Sequence, residues 1–288
     1  MLRLALIVGG ASIGAFFVGI WGYALVSFFS MRAHTARREL GLTLRELLRE
    51  TFLTALTQPF LPLYYLIGDR MEPLFQRQVV PKPGDPPRVP IVFVHGYMQN
   101  RVGFIGLARA LARKGFGPLY GINYPWWSTI PANAKRLARY VDRVCRETKS
   151  TSVDLVCHSM GGLVAMEMMR STAKEDHFVV RRCVTIASPH AGVAWRGPML
   201  GFGATNLRRG SKLLEAHAGY TVAIPTLSVF SSHDNIVHPK ETSSLLSRGG
   251  VDFEVAGPSH FSILFSPLVA DEVAAFLASP DRGAPELA

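Results

Sequence analysis

An uncharged run of 28 residues, Leu4 to Met31, lies near the start of the chain between Arg3 and Arg32. As an α-helix it would be about 42 Å long, more than the roughly 30 Å hydrocarbon core of a bilayer. A secretory signal peptide would need a shorter apolar core and a small-residue cleavage site, and Ser27-Phe28-Phe29-Ser30 offers none. The run therefore predicts an uncleaved transmembrane anchor over residues 1–31.

The next segment, residues 32–80, is expected to lie at the membrane interface. Residues 43–46 match a capping box, and the helical face that follows carries Leu44, Leu47, Leu48 and Phe52. Pro59 and Pro62 interrupt the uncharged stretch that continues to residue 68 and lower its insertion propensity. An amphipathic helix on the bilayer or on the domain is therefore favoured, while a second, broken membrane segment stays open.

Basic residues after the apolar run bear on topology and on partners. Five arginines in this segment favour the cytoplasmic side and an anionic membrane surface: Arg32, Arg37, Arg38, Arg45 and Arg49. With one span the following domain is cytoplasmic, and with two spans it lies outside. We expect a single-pass protein, and the side of the membrane that carries the domain stays open.

Composition excludes several classes of protein. The hydrophobic fraction of 48% and the charged fraction of 18% are incompatible with a disordered chain or a charged coiled coil. The net charge of +10 is scattered rather than gathered into an arginine tract with aromatics, so we expect no nucleic-acid partner. Three cysteines without metal-ligand spacing predict neither a disulfide framework nor a metal site.

Apolar runs alternate with helical patterns after a proline-rich linker at residues 81–90. This order predicts an α/β domain over residues 91–278, with a mostly parallel sheet and helices on both faces. Residues 191–224 break the rhythm and are expected to form a lid-like insertion, and residues 279–288 a loose tail. The predicted strands are Ile91–Val94, Leu119–Asn123, Val153–Cys157, Cys183–Ile186, Thr226–Phe230 and Phe253–Val255; the helices are Phe104–Lys114, Ala132–Thr148, Met160–Ser171 and Pro267–Leu277.

Ser159 lies where a buried strand pattern passes through a small-residue turn into a helix. A nucleophile elbow needs this context, because small neighbours let strand and helix approach around a strained serine. Cys157 replaces the first glycine of the usual G-x-S-x-G pattern. A plain turn, in which Ser159 only caps the helix, is the alternative.

Two later loops supply an acid and a base. Asp234 follows one apolar strand, and His260 follows the next, just before the last helix. With Ser159 they stand in the order serine, acid, histidine, which is the order of α/β-hydrolase triads. His260 would move the serine proton, and Asp234 would fix its tautomer. His190 precedes the acid in the chain and is the weaker candidate base.

Further site residues are expected around this triad. His95-Gly96-Tyr97 follows the first strand of the domain, so the backbone N–H groups of Tyr97 and Met160 are predicted to form an oxyanion hole. We also expect His95, Trp126 and Trp127 to line a substrate pocket, although aromatic residues in such loops are as often packing residues.

From about Ile91 to Leu277 the chain resembles the α/β-hydrolase superfamily and, within it, small bacterial triacylglycerol lipases. The motifs that carry the resemblance are Val94-His95-Gly96, residues 153–162 around Ser159, residues 231–237 around Asp234, and Gly257-Pro258-Ser259-His260. The resemblance implies a serine ester hydrolase that acts on acyl esters without a cofactor. Because of the predicted anchor, we expect the protein in the inner membrane of a bacterium. The insertion and the anchor depart from the minimal lipases.

The sequence as a whole thus predicts a membrane-anchored lipase or carboxylesterase. An acyltransferase or thioesterase that uses the same triad is the alternative, because the acceptor pocket has no motif. A non-catalytic membrane scaffold is the third hypothesis, since a fold never guarantees a function. The acyl chain, the head group and the oligomeric state are left open.

Overall fold

The computed structural model describes residues 2–34, 40–57, 69–71, 88–172, 178–195 and 199–279. In the domain, six strands form one sheet in the order β2-β1-β3-β4-β5-β6, and every neighbouring pair is parallel. The strands are β1 (Ile91–Val94), β2 (Leu119–Ile122), β3 (Ser152–His158), β4 (Val179–Ile186), β5 (Thr226–Ser231) and β6 (Val251–Val255). All six predicted strands are confirmed, with small differences in their ends.

Alternation along the strands divides the core into two layers. In β1, Val92 and Val94 pack on one side of the sheet, while Ile91 and Phe93 pack on the other. Successive side chains of a strand point to opposite faces, so a fully apolar strand must be covered on both. Four helices supply this cover: α3 (Ile105–Arg113) and α7 (Pro267–Ala278) on one face, α4 (Ile130–Thr148) and α5 (Met160–Thr172) on the other.

The strand order places a crevice at the carboxyl end of the sheet. From β2, at one edge, the chain passes β1 and continues with β3 on its other side, so the order reverses at β1. In open α/β sheets, ligands bind outside the carboxyl ends of the strands at such a switch point. The loop after β1 and the turn after β3 meet there.

The insertion between β4 and β5 contains little regular structure in its described residues. Helix α6 (Lys212–Ala218) and a short 3-10 helix (Ala204–Leu207) are its regular elements there. Residues 81–87 of the proline-rich linker, Pro59, Pro62 and the tail from residue 280 lie outside the described residues.

Two further helices precede the domain: α1 (Leu2–His34) and α2 (Leu40–Thr57), which contact each other and are called here the N-terminal helical pair. Among the residues with a described placement, no helix is both long and apolar enough to cross a membrane. The second half of α1 buries one face: Ile20, Ala24, Ser27, Phe28 and Met31.

The predicted capping box at residues 43–46 is wrong. Helix α2 begins at Leu40, so Thr43 lies inside the helix and cannot cap it. The outer face of α2 carries four half-exposed apolar side chains, Leu44, Leu48, Phe52 and Leu56.

Candidate active site

Ser159 occupies a tight turn between β3 and α5. Its backbone φ is 53°, in the left-handed region that residues other than glycine rarely adopt. The Ser159 N–H donates to the carbonyl oxygen of Ile186 at 2.8 Å, and its own carbonyl accepts from the N–H of Gly162 at 3.0 Å. These bonds hold a conformation whose strain is typical of functional sites.

Glycines allow this turn to form so close to its neighbours. A Cβ atom at Gly161 would lie 2.1 Å from the carbonyl oxygen of Val94, so only glycine lets α5 start against β1. A Cβ atom at Gly96 would lie 2.8 Å from the Cβ of Ser159, which puts the loop after β1 directly beside the serine. The small residues that the sequence places here are therefore required by packing.

The three residues of the predicted triad lie within hydrogen-bonding distance of one another. His260 Nε2 is 3.0 Å from Ser159 Oγ, and His260 Nδ1 is 2.9 Å from Asp234 Oδ2. Asp234 Oδ1 also accepts from the backbone N–H groups of Ile236 and Val237 at 2.8 and 2.7 Å. The geometry fits the tautomer in which Nδ1–H donates to Asp234 and Nε2 accepts from the serine hydroxyl.

Electrostatics at His260 favour a basic imidazole. Burial alone would lower the pKa of His260, but the charge and hydrogen bond of Asp234, together with the charge of Glu50, outweigh it. The pKa of His260 is therefore raised above its usual value. All three members of the triad are buried, so these interactions act in a medium of low polarity.

Residues that the sequence did not single out support the triad. Asn235 Oδ1 accepts from the His260 N–H at 3.0 Å, and His158 Nε2 lies 2.9 Å from the His260 carbonyl oxygen. The other ring nitrogen of His158 lies 2.8 Å from Gln99 Oε1, which also accepts from the Gly96 N–H. The signal available in the sequence was adjacency, since Asn235 follows Asp234 and His158 precedes Ser159.

Glu50 of α2 was also missed. Its carboxylate accepts hydrogen bonds from the backbone N–H groups of Phe261 and Ser262, which directly follow His260. Burial raises the pKa of Glu50 to about 7, although these two bonds and His260 oppose the shift. The sequence did contain a signal for a buried acid on this helix. Glu46 and Glu50 are four residues apart and share one face, while leucines lie on the outer face.

The expected oxyanion loop contacts the insertion. The Tyr97 hydroxyl donates to the Leu200 carbonyl oxygen at 2.6 Å and accepts from the Leu200 N–H at 2.7 Å. Residues 199–203, called here the insertion tip, also bond to the Trp127 carbonyl through the Phe202 N–H at 2.8 Å. Met160 begins α5 immediately after Ser159. The insertion tip therefore lies against the loop after β1 and the loop after β2.

His95 occupies a different place from the pocket wall expected for it. Its side chain is fully buried and stacked on Tyr124, and its Nε2 accepts from the Tyr124 N–H at 3.2 Å. Burial lowers the pKa of His95 to about 4, so it is a neutral packing residue beneath the loop.

Trp126 and Trp127 lie at the surface beside the oxyanion loop. Trp126 packs edge-on against Tyr97, and Trp127 packs edge-on against Trp126 and is 48% exposed.

His190, the weaker candidate base, is buried with its Nε2 3.1 Å from Thr185 Oγ1, whereas Ser159 Oγ faces His260.

Comparison with known proteins agrees with this architecture. A family model described as a domain of unknown function (DUF7379) matches residues 72–196. The mature form of the lipase BlEst2 from Bacillus licheniformis is similar with a TM-score of 0.59 and 17% identity, covering 70% of this chain and 96% of that protein. Lipase B from Aspergillus fumigatus gives a TM-score of 0.57 and 15% identity, covering 71% of this chain and 56% of that one.

Est1E from Butyrivibrio proteoclasticus is a third similar structure. Its TM-score is 0.52 at 17% identity, with 68% of this chain and 89% of that one covered. At such low identity the likeness concerns the backbone arrangement. Together with the parallel sheet and the turn at Ser159, it shows that the chain has the α/β-hydrolase fold.

Proposed function

We propose that this protein is a serine ester hydrolase, a lipase or carboxylesterase that cleaves acyl esters through Ser159, His260 and Asp234. The observation that carries the proposal is the continuous hydrogen-bonded path from Ser159 Oγ through the His260 ring to Asp234. A strained serine at the switch point of a parallel sheet adds to it.

The reaction follows from the positions of the proton carriers. Ser159 Oγ attacks the acyl carbonyl carbon while His260 Nε2 takes the hydroxyl proton. The resulting oxyanion accepts hydrogen bonds from the N–H groups of Tyr97 and Met160. His260 then gives the proton to the leaving alcohol as the C–O bond breaks. A water molecule then gives a proton to His260 Nε2 and attacks the acyl carbon, and His260 returns the proton to Ser159 Oγ as the acyl-enzyme bond breaks. Asp234 stabilises the imidazolium that forms in each half of the reaction.

Hydrolysis of soluble short-chain p-nitrophenyl esters tests this function. We expect Ser159→Ala and His260→Ala each to lower kcat at least 10³-fold, because members of a triad act as a unit. Ser171→Ala is a matched control, since this serine of α5 bonds to the backbone of its own helix. Equal rates in the wild type and both triad variants would reject the proposal. Transfer of the acyl group to an added alcohol, measured by product analysis, would indicate a transferase.

We propose further that the N-terminal helical pair brings this site to a lipid surface. The outward side chains of both helices support it: Leu44, Leu48, Phe52 and Leu56 on α2, and Val18, Trp21, Leu25 and Phe29 on α1, are each at least 40% exposed. Large exposed apolar patches mark protein or membrane contacts. The exposed side chains of Leu200 and Phe202 in the insertion tip would then meet acyl chains at the same surface.

A further inference from the structure

Three consecutive backbone N–H groups, those of residues 260–262, are held by side chains rather than by backbone carbonyls. The His260 N–H donates to Asn235 Oδ1 at 3.0 Å. The Phe261 N–H donates to Glu50 Oε1 at 2.9 Å, and the Ser262 N–H donates to Glu50 Oε2 at 2.8 Å. The backbone around His260 therefore depends on two side-chain acceptors.

Both acceptors lead back to the N-terminal helical pair. Glu50 belongs to α2 and is completely buried. Asn235 is braced from α1, because its Nδ2 donates to Ser27 Oγ at 2.7 Å, and Ser27 in turn donates to the carbonyl oxygen of Ala24. Two helices that precede the domain by more than thirty residues thus hold the loop that carries the triad histidine.

A buried carboxylate at this place needs a reason. Burying an ionised carboxylate costs free energy unless hydrogen bonds and charges compensate it. Two backbone N–H groups supply part of that compensation here through charge-assisted bonds, and the pKa of Glu50 is still raised to about 7 by burial. A leucine at residue 50 would fill the space without ordering the loop, so the arrangement favours a role at His260.

We infer that Glu50 is a positioning residue for His260, and that the N-terminal helical pair is part of the structure that holds the active site. The inference rests on the proposed function. Glu50 does not touch substrate; it fixes the backbone that sets the distance from His260 Nε2 to Ser159 Oγ. Misplacing a reacting group by about 1 Å can cost roughly 100-fold in rate.

Several titratable groups surround this contact and bear on its pH dependence. Asp234 and His260 face Glu50 from the domain, Tyr23 faces it from α1, and Glu46 lies on the same helix. The carboxylate of Glu50 raises the pKa of His260. Removing the charge should therefore lower that pKa and move the acidic limb of the kcat/KM profile to lower pH, because His260 must be neutral to accept a proton.

The experiment compares four full-length proteins: the wild type, Glu50→Ala, Glu50→Gln and Thr51→Val. Thr51 is a matched control, since it is buried on the same helix and bonds to the Leu47 carbonyl. We expect Glu50→Ala to lower kcat for a soluble ester about 10- to 100-fold with little change in KM. Glu50→Gln keeps one acceptor oxygen, so it should recover much of the rate while the acidic limb moves to lower pH.

The titration of His260, followed by NMR of ring-labelled histidine with His260→Ala for assignment, gives a readout that does not need activity. We expect the pKa of His260 to be lower in Glu50→Gln than in Thr51→Val. This comparison still tests the inference if Glu50→Ala fails to fold. If the wild type does not hydrolyse esters but the pKa of His260 still differs in this way, the proposed function is rejected and the positioning role of Glu50 is supported. An active wild type whose kcat and His260 pKa are unchanged in both Glu50 variants would overturn the inference.

Discussion

Helices α2 and α4 place their apolar side chains in opposite ways. Helix α4 buries Leu137, Val141 and Val144 against the sheet and exposes Lys135 and Arg139 to water. Helix α2 buries Glu46 and Glu50, while the outward leucines and Phe52 are half exposed. The first pattern is that of a surface helix of a soluble domain. The second pattern is the reverse, with acids turned toward the protein and apolar side chains turned outward.

The difference separates two tasks. The loops at the carboxyl ends of β1, β3, β5 and β6 carry the residues of the proposed active site, and α4 only covers the sheet that holds them. The N-terminal helical pair carries no reactive group, yet Glu50 and Ser27 support the loops with His260 and Asn235. Under the proposed function, one region supplies the chemistry, and the other supplies support and an apolar surface.

The largest expected effect concerns the chemistry at the strand ends. Asp234→Asn should lower kcat for a soluble ester by about 10⁴-fold, because an amide favours the wrong histidine tautomer. Steady-state kinetics would measure it. Asp271→Asn, at an exposed ion pair with Lys114, is the control and should change little. A loss of less than tenfold in Asp234→Asn would mean that another residue fixes the imidazole.

The next effect concerns stability and its pH dependence. The pKa of Glu50 is about 7 in the folded protein against about 4.5 in a flexible chain, so the folded state binds the proton more tightly. The free energy of unfolding should therefore fall as pH rises from about 4.5 through 7, by about 3 kcal/mol from this group. Glu50→Gln should lack this component.

Chemical denaturation at pH 5 and pH 8 would measure the difference. The wild type and Glu50→Gln should diverge between these two values, with the variant gaining relative stability at the higher pH. Equal pH dependence in both proteins would show that the carboxylate is not buried as described.

The outward face of α2 provides the third test. Leu48→Ser combined with Phe52→Ser removes two half-exposed apolar side chains that the proposal places against lipid. Binding to anionic vesicles should weaken by about 2 kcal/mol, roughly thirtyfold, while kcat for a soluble ester stays unchanged. Vesicle co-sedimentation measures the first quantity. Leu246→Ser, an equally exposed leucine outside the helical pair, should bind vesicles as the wild type does.

The smallest effect concerns the insertion tip. Tyr97→Phe removes both hydroxyl bonds to Leu200 but keeps the backbone of the oxyanion loop. Such partly exposed bonds contribute about 1 kcal/mol, so access to Ser159 should increase and kcat/KM for soluble esters should rise up to about fivefold. Tyr140→Phe on α4 is the control. An unchanged value in Tyr97→Phe would mean that the insertion tip does not limit access.

The sheet and the three triad positions could be predicted because they depend on local patterns. Short apolar runs bounded by helical patterns fix the strands, and parallel strands bring their carboxyl ends to one edge. Ser159, Asp234 and His260 follow three of those strands, so their meeting follows from topology. Small residues around Ser159 were equally visible in the sequence.

The supporting contacts could not be predicted, because their partners are backbone groups. Glu50 meets the N–H groups of Phe261 and Ser262, and a backbone N–H has no sequence signature. His95 was expected in the pocket, yet its contacts with Tyr124 bury it beneath the loop. The capping box failed for a different reason: Thr43 has the right neighbours in sequence but lies inside a helix that begins earlier.

Labelling by a fluorophosphonate probe tests the central claim most directly. The probe reacts only with a serine whose hydroxyl is activated by a neighbouring base. The detergent-solubilised wild type should be labelled at Ser159, whereas Ser159→Ala should not be labelled and Ser171→Ala should be labelled like the wild type. Equal labelling of the wild type and Ser159→Ala, or none in a folded wild type, would contradict an activated Ser159.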